Sequence, residues 1–260
     1  MLYYKFMSYK RFVESILPGG AFIKVSRPCE FNDPFDCTGG LIGEFNSKVA
    51  EEYCNMFYVD ALPNFYAASA KAHFLGQLRT RQFFNEWFRI LSLSDASRLL
   101  PNEEFLMWAH YADNARGVRL TLDFSDYSKT VEPVEYVDTA PALNCSSITV
   151  MDPMKDVNLR SFLDACLVTK CNCWRYECES RVIFPINYKD LRPMSVCDAV
   201  KPIAERNFVF AMPKRMLREV AFGPGCLNLA EAQKYVELLR DNGYANIKSS
   251  CAREGGWYGY

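Results

Sequence analysis

The first 25 residues carry hydrophobic and polar positions in an order that predicts a strand–helix–strand unit. Residues 2–6 (LYYKF) are typical of a short strand. Ser8 can cap a helix, because its hydroxyl can accept a hydrogen bond from the first helical turn. The apolar residues that follow at helical spacing are Phe12, Val13, Ile16 and Leu17. Pro18-Gly19-Gly20 ends this helix, and residues 21–25 (AFIKV) predict a second strand.

The rest of the chain mixes helical and strand periodicities without a regular alternation. Helical spacing predicts two helices within 47–89 that break near Pro63, and further helices over 103–113, 156–170 and 229–242. Alternating or short apolar runs predict strands over 89–93, 117–124, 131–137, 173–185, 206–211, 218–222 and near 244–250. Residues 138–155 are expected to be irregular. This mixture predicts an α+β fold with a mixed, largely antiparallel sheet and flanking helices, in a single domain over residues 1–260.

Composition and charge exclude several classes of protein. The chain has 260 residues, with 30 Lys and Arg against 31 Asp and Glu, so the formal net charge is -1. That balance disfavours a nucleic-acid binder that depends on bulk positive charge. No apolar run approaches the roughly 18 residues that span a bilayer, and the charged N-terminus (MLYYKFMSYKRF) does not resemble a secretion signal. We therefore expect a cytoplasmic globular protein without a membrane partner.

The 11 cysteines are dispersed along the chain and predict no structural metal. The densest cluster is Cys166, Cys171, Cys173 and Cys178. Its spacing, C-x4-C-x-C-x4-C, lacks the paired C-x2-C units of structural zinc sites. We interpret these cysteines as small buried apolar residues, which is the commonest role of a free cysteine.

Two segments could present polar or aromatic groups to a ligand. The first is the turn Phe31-Asn32-Asp33-Pro34-Phe35-Asp36, which either is a structural Asx-turn or presents Asp33 or Asp36 to a ligand. The second is the helix 103–113, where Trp108 and Tyr111 share a face and form either core or a stacking wall. The chain has only two histidines, His73 and His110, which disfavours a hydrolase built on a histidine base.

A third segment, 173–185, carries the densest charge pattern. As a strand it would place Arg175, Glu177, Glu179 and Arg181 on one side, opposite Trp174, Tyr176, Cys178 and Val182. The two glutamates would then lie roughly 6–7 Å apart. One interpretation is a solvated face of paired charges. The other is a carboxylate in a cleft, held ionised by an arginine, that contacts a ribose hydroxyl or stabilises an oxocarbenium-like transition state.

Several short motifs occur in an order that resembles a bacterial family catalogued as domain of unknown function 2971. They are Tyr3-Tyr4-Lys5-Phe6, Phe31-Asn32-Asp33-Pro34-Phe35-Asp36, Leu91-Ser92-Leu93-Ser94, Leu106-Met107-Trp108-Ala109-His110-Tyr111-Ala112 with Gly117, and Lys170, Trp174, Tyr176-Glu177, Glu179 and Arg181. The resemblance spans roughly residues 2–185, with a weaker match over 220–223. It implies a family-like core over about 2–223, a C-terminal helix and strand over 229–250, and a tail over 251–260.

The layout of that family is similar to the ADP-ribosyltransferase superfamily, which implies a split sheet and NAD as substrate. The resemblance implies that Glu179, or else Glu177, is the catalytic carboxylate on a late strand. It implies that Tyr4 or Lys5 on the opening strand contacts NAD. Together with the polar turn and the arginine of the charged segment, the nucleotide-binding candidates are Tyr4, Lys5, Asn32, Asp33, Phe35, Asp36, Trp108, Tyr111 and Arg181. Among these, Trp108, Tyr111 or Phe35 would stack on the nicotinamide. The chain departs from the superfamily in having no histidine or arginine in its opening strand and no Ser-Thr-Ser motif.

The leading hypothesis is an intracellular enzyme that acts on NAD or a related nucleotide. It would transfer ADP-ribose to a protein or nucleic acid, or hydrolyse the N-glycosidic bond, and a toxin or anti-phage role would fit such chemistry. One alternative is a Mg²⁺-dependent phosphodiesterase or nuclease whose metal is held by Asp33, Asp36, Glu177 and Glu179. The other is a non-catalytic module that binds a nucleotide or a peptide.

Overall fold

The computed structural model describes residues 1–16, 22–186, 200–204, 207–226, 229–244 and 248–251. The strands of this part of the chain are β1 (Leu2–Met7), β2 (Phe22–Val25), β3 (Gly40–Ile42), β4 (Phe88–Asp95), β5 (Val118–Asp123), β6 (Val131–Pro133), β7 (Glu135–Val137), β8 (Ala142–Asn144), β9 (Thr169–Cys171), β10 (Glu179–Pro185), β11 (Val200–Ala204), β12 (Asn207–Ala211), β13 (Leu217–Phe222) and β14 (Lys248–Cys251). The α-helices are α1 (Tyr9–Ile16), α2 (Ser47–Met56), α3 (Tyr66–Arg79), α4 (Gln82–Trp87), α5 (Pro101–Tyr111), α6 (Val157–Val168) and α7 (Leu229–Asp241).

The largest sheet has seven strands in the order β14-β13-β5-β1-β4-β10-β6. Its pairs are antiparallel except for β13 with β14, which is parallel. A second sheet, β11-β12-β2, is antiparallel, and β3 with β8 and β7 with β9 form two short parallel pairs. The predicted α+β fold with a largely antiparallel sheet and flanking helices is confirmed, whereas the single domain stays a prediction.

The pairing of β1, β4 and β10 brings distant parts of the chain into one row. Tyr4 pairs with Ser94, and Ser94 pairs with Glu179, so the three residues lie side by side across three strands. One step further along β4, Ser92 pairs with Arg181. Strands β1 and β10 therefore both pair with β4, although Tyr4 and Glu179 lie far apart in the sequence.

Two apolar clusters cover the opposite faces of the sheet. Val182 and Phe184 belong to a cluster with residues of β1, β5 and β13. Ile183, between them, belongs to the cluster built by the helices α2, α3 and α6. Every residue of β10 is buried, because both of its faces are covered. The charged residues Glu179 and Arg181 consequently need partners inside the protein.

The predicted strand over 173–185 is wrong in its first half. Residues Asn172–Glu177 form a 3-10 helix, and Cys178 adopts a left-handed conformation with φ 45°. Strand β10 begins only at Glu179. The predicted shared face is therefore wrong as well: Arg175 is exposed while Glu177 is buried. Contacts of the Glu177 side chain with Tyr111, 66 positions away in sequence, and with Lys170 favour this turn over local alternation.

Other elements differ from their predictions at short or interrupted strands. The expected strand over 131–137 is divided into β6 and β7 at Val134, and the short strands β3, β8, β9 and β11 were not predicted. The predicted helix stop at residues 18–20 and the tail after residue 251 lie outside the described residues. Within the described part of the chain, no helix is both long and apolar enough to cross a bilayer.

Candidate functional site

A cleft of about 240 Å³ lies over the row formed by Tyr4, Ser94 and Glu179. Side chains of β1, β4 and α5 form its walls, and the polar groups of its floor are Asp36, Lys170, Glu177 and Glu179. Lys24, Glu30, Phe31 and Asn32 also line it.

Lys170 connects the three carboxylates of the floor. Its Nζ lies 2.6 Å from Glu177 Oε2, 3.1 Å from Glu179 Oε2 and 3.8 Å from Asp36 Oδ2. The Oε2 atoms of the two glutamates therefore lie within 5.7 Å of each other, the sum of their distances to Nζ. Burial by itself would lower the pKa of Lys170, but the surrounding carboxylates raise that pKa above its ordinary value. Lys170 is thus a resident cation between three acidic groups.

Arg181 holds Glu179 and Asp36 from behind the cleft. Its guanidinium donates to both carboxylate oxygens of Glu179, at 2.9 and 3.2 Å, and to Asp36 Oδ2 at 2.6 Å. It also donates to the Leu167 carbonyl at 2.7 Å. The backbone N–H of Glu179 donates to the Tyr136 hydroxyl at 2.7 Å, which fixes the start of the strand. The ion pair with Arg181 and the backbone hydrogen bond to Tyr136 therefore hold Glu179 in one orientation.

The two glutamates differ in acidity. Burial by itself would raise the pKa of Glu179, but the charges of Arg181 and Lys170 outweigh it and hold that pKa well below its ordinary value. For Glu177, burial dominates over the attraction of Lys170, so its pKa is raised. Neighbouring carboxyls with opposite shifts are typical of sites that divide acid–base and electrostatic roles.

Tyr111 and Asn32 orient the carboxylate of Glu177. The Tyr111 hydroxyl donates to Glu177 Oε1, and Asn32 Nδ2 donates to the Tyr111 oxygen at 2.7 Å. Tyr111 is placed there because it ends α5, which packs against β1 and the 3-10 helix. Burial and the neighbouring charge of Glu177 raise the pKa of Tyr111, so the hydroxyl stays a donor.

Strand β1 supplies Lys5 and Tyr4 to the wall opposite the glutamates. Lys5 Nζ donates to the Ser92 carbonyl at 2.9 Å, and burial lowers the pKa of Lys5 to about 8. The Tyr4 ring lies under the guanidinium of Arg119, 4.1 Å from the ring centre. Arg119 is in turn held by Glu219 at 3.1 Å, so the Tyr4 ring has a fixed position.

Four predicted site residues do not line this cleft: Asp33, Phe35, Trp108 and Arg181. Asp33 is buried and its Oδ1 accepts the Phe35 N–H at 2.8 Å, which is the geometry of the structural Asx-turn. Phe35 is 78% exposed. Trp108 is buried in a cluster with Phe6, at 5.2 Å between ring centres, so it belongs to the core. The cleft brings together Tyr4, Lys5, Asn32, Asp36, Tyr111, Glu177 and Glu179, with Arg181 behind them.

The sequence interpretation assigned no role to two groups of the site. Lys170 was named only as one residue of the family-like pattern. Its position seven residues before Glu177 was the sequence signal that could have suggested a contact between them. His110 contacts Tyr176, with 3.0 Å between Nδ1 and the hydroxyl, and both residues line a shallow groove next to the cleft. The contact between His110 and Tyr176 has no local sequence pattern, because the two residues are 66 positions apart and lie on different elements.

No group of three His, Cys, Asp or Glu side chains in the described residues is arranged to hold a metal ion. At the cleft floor, the ammonium of Lys170 occupies the position between the carboxylates that a cation would take. The cleft floor presents three carboxylates, those of Asp36, Glu177 and Glu179, which are held in place by the positive charges of Lys170 and Arg181.

Comparisons of the chain with protein-family models, with curated proteins and with solved structures gave no match. The family resemblance, its split-sheet layout and the NAD substrate that it implies therefore stay predictions.

Proposed function

We propose that this protein cleaves the N-glycosidic bond of NAD or a related nucleotide and passes the ADP-ribosyl group to an acceptor or to water. The observation that carries the proposal is the pair Glu177 and Glu179, two buried carboxylates within 5.7 Å at the floor of a cleft. Strand β1, which the resemblance assigns to nucleotide binding, lines the same cleft through Tyr4 and Lys5.

In this proposal the carboxylates act on the charge that develops during bond cleavage. As the C–N bond breaks, its electron pair moves to the nicotinamide nitrogen and positive charge grows on the ribose. Glu177, oriented by Tyr111 and Lys170, stabilises that charge and takes the proton of the attacking hydroxyl. Glu179 remains ionised and keeps Lys170 and Arg181 in place.

Lys5 serves the binding of the nucleotide. Its ammonium lies in the cleft wall with one hydrogen bond to the Ser92 carbonyl, so it retains N–H groups for a phosphate oxygen. The cleft is too small to enclose a whole dinucleotide. We therefore assign it to the nicotinamide ribose and the adjacent phosphate, with the remainder of the nucleotide at the mouth.

The test is mass spectrometry of nicotinamide release from NAD, with cell extract as the acceptor source and EDTA present. We expect Glu177→Gln to lower release about 100-fold or more, since the amide neither carries the charge nor accepts the proton. Glu14→Gln is the matched control, because Glu14 is exposed and pairs with Lys10 on the surface of α1. Circular dichroism verifies that each variant is folded.

The same assay distinguishes the outcomes. A mass gain on a protein or nucleic acid in the extract would assign transfer, and free ADP-ribose would assign hydrolysis. Absence of nicotinamide release by the folded wild type, or equal release by Glu177→Gln, would refute the proposal.

One observation favours a second function, binding without turnover. Both oxygens of Glu177 and both of Glu179 already have internal partners. A nucleotide that raises the melting temperature without being consumed would support this module, and Glu177→Gln would then retain much of the binding. The metal-dependent phosphodiesterase alternative differs from both in requiring added Mg²⁺ and losing activity in EDTA.

A further inference from the structure

Cys171 and Cys173 form an exposed pair of thiols beside the cleft floor. Their sulfur atoms lie 3.2 Å apart, and the Cys173 thiol donates to the Cys171 sulfur. Both residues are exposed, whereas Cys166 and Cys178 of the same sequence cluster are buried. The interpretation of the cluster as buried apolar residues is therefore wrong for Cys171 and Cys173.

The conformation that brings these sulfurs together is held by the residue between them. Asn172 donates to Asp138 Oδ1 at 2.5 Å and accepts a hydrogen bond from Arg175 at 2.8 Å. Cys171 ends β9 and Cys173 lies in the 3-10 helix, so the backbone on each side belongs to a regular element. The two thiols are thus preorganised by the fold and do not depend on chance encounters of a flexible chain.

We propose that Cys171 and Cys173 are a redox modification site, which a hydroperoxide converts to a reversible disulfide. The Cys171 sulfur attacks the O–O bond and becomes a sulfenic acid, with release of water or an alcohol. The Cys173 sulfur then attacks the Cys171 sulfur and displaces water. With hydrogen peroxide, the two thiols together lose two protons and two electrons, and the peroxide takes up both and is reduced to two molecules of water.

The hydrogen bond assigns the two steps to the two residues. Cys173 donates its S–H to the Cys171 sulfur, and this hydrogen bond raises the pKa of the Cys173 thiol. Because a thiol that keeps its proton is a poor nucleophile, the first attack is assigned to Cys171 and the second to Cys173. This site is independent of the proposed function, although Lys170 precedes the pair and Trp174 follows it, with Lys170 Nζ 4.9 Å from the centre of the Trp174 ring.

The test uses the full-length folded protein, hydrogen peroxide, alkylation of the remaining thiols and tryptic digestion. Cleavage after Lys170 and Arg175 releases residues 171–175 (CNCWR), a peptide that contains both cysteines and no other. We expect this peptide to carry no alkyl groups and to have a mass two hydrogen atoms lower than that of its dithiol form. Dithiothreitol added before alkylation should restore the doubly alkylated form. Cys29, an exposed cysteine elsewhere in the fold, is the control that should show no such loss of two hydrogens.

Two further measurements examine the mechanism. In Cys173→Ser, a sulfenic-acid trap such as dimedone should label Cys171, because the second thiol is missing. In the wild type, disulfide formation should be several-fold faster in buffer than in concentrated urea, where Asn172 no longer holds the turn. A doubly alkylated 171–175 peptide after peroxide, or equal rates in the folded and unfolded chains, would refute the proposal.

Discussion

Arg181 shows how strongly a single buried residue determines this site. It is fully buried and faces the carboxylates of Glu179 and Asp36. Buried ions are costly unless each has a partner, and removing one partner leaves the other charges in a medium of low polarity. The ion cluster therefore supports the fold only while each charge keeps its partner. Replacing one of its charged residues should strongly destabilise the protein.

We predict that Arg181→Met lowers the free energy of unfolding by about 3–5 kcal/mol, because Glu179 and Asp36 lose their main counter-charge. Urea denaturation followed by circular dichroism measures the change. Arg218→Met is the matched control: Arg218 is 52% exposed and pairs with Asp123 at the surface, so its loss should cost less than about 1 kcal/mol. Similar midpoints for the two variants would contradict the prediction.

The acidity of Glu179 predicts a second effect at the residue scale. Its pKa in the folded protein lies below the ordinary value of 4.5, so its ionised form stabilises the fold above that value. As the pH falls below 4.5, the unfolded chain takes up this proton first and the contribution is progressively lost. The stability gap between the wild type and Glu179→Gln should therefore be full near pH 7 and smaller near pH 3. A gap of constant size in urea titrations at both values would argue against this assignment.

At the scale of elements, a close backbone contact sets the position of α5 relative to β1. Gly117 follows the turn after α5, and its N–H donates to the Ala112 carbonyl at 2.7 Å. A Cβ atom at Gly117 would lie 2.2 Å from the Met7 carbonyl oxygen, at the end of β1. The same helix carries Tyr111, so this contact between α5 and β1 also positions a cleft residue.

We predict that Gly117→Ala destabilises the protein by about 2 kcal/mol or more, because backbone atoms must move to admit the methyl group. Gly76→Ala provides the matched control within α3, since a Cβ there meets no atom within 4 Å. That substitution should stabilise the protein by about 0.5–1 kcal/mol, because alanine favours a helix interior. Thermal unfolding measures both changes, and a loss of stability in Gly76→Ala would count against the argument.

At the scale of the whole molecule, the cleft exists because β1, β4 and β10 are neighbours in one sheet. Lys5 comes from the first of these strands and Glu179 from the last, and Lys170 enters from the short pair β7–β9. The electrostatics of the cleft therefore depend on the assembled fold. Its pH dependence combines a carboxyl with a raised pKa, Glu177, and an amine with a lowered one, Lys5.

If NAD is cleaved, we predict that the rate rises with pH as Glu177 ionises and falls above about pH 8 as Lys5 loses its proton. Lys5→Arg keeps a positive charge at higher pH, so the falling limb should disappear. Nicotinamide release measured between pH 5 and 10 gives the profile. Lys48→Arg, on the exposed face of α2, is the control that should leave the profile unchanged. An identical falling limb in Lys5→Arg would exclude Lys5 as its cause.

Periodicity predicted the regular elements well where one face is apolar. Strand β1, helix α6 and strand β5 agree with their predicted ranges to within a few residues. The break near Pro63 was predicted, but the region 47–89 has three helices, α2, α3 and α4, where two were predicted. The prediction of a strand over Asn172–Glu177 was wrong, because the alternating residues of this 3-10 helix have the same pattern as a strand. Most of the acidic and polar candidates do line one cleft, whereas Phe35 and Trp108 do not.

The sequence by itself determined the fold class, because the repeat of apolar residues is a local property that selects helix or strand wherever one face must be buried. It also identified Glu177 and Glu179 as candidates through their chemistry. Only the tertiary structure decided that Glu177 is buried beside Lys170, that Arg181 lies behind Glu179, and that the Cys171 and Cys173 sulfurs touch. These contacts join residues only two to seven positions apart in sequence. Whether they form depends on the turn at Asn172–Glu177 and on the order of the strands, and the local repeat of apolar residues determines neither.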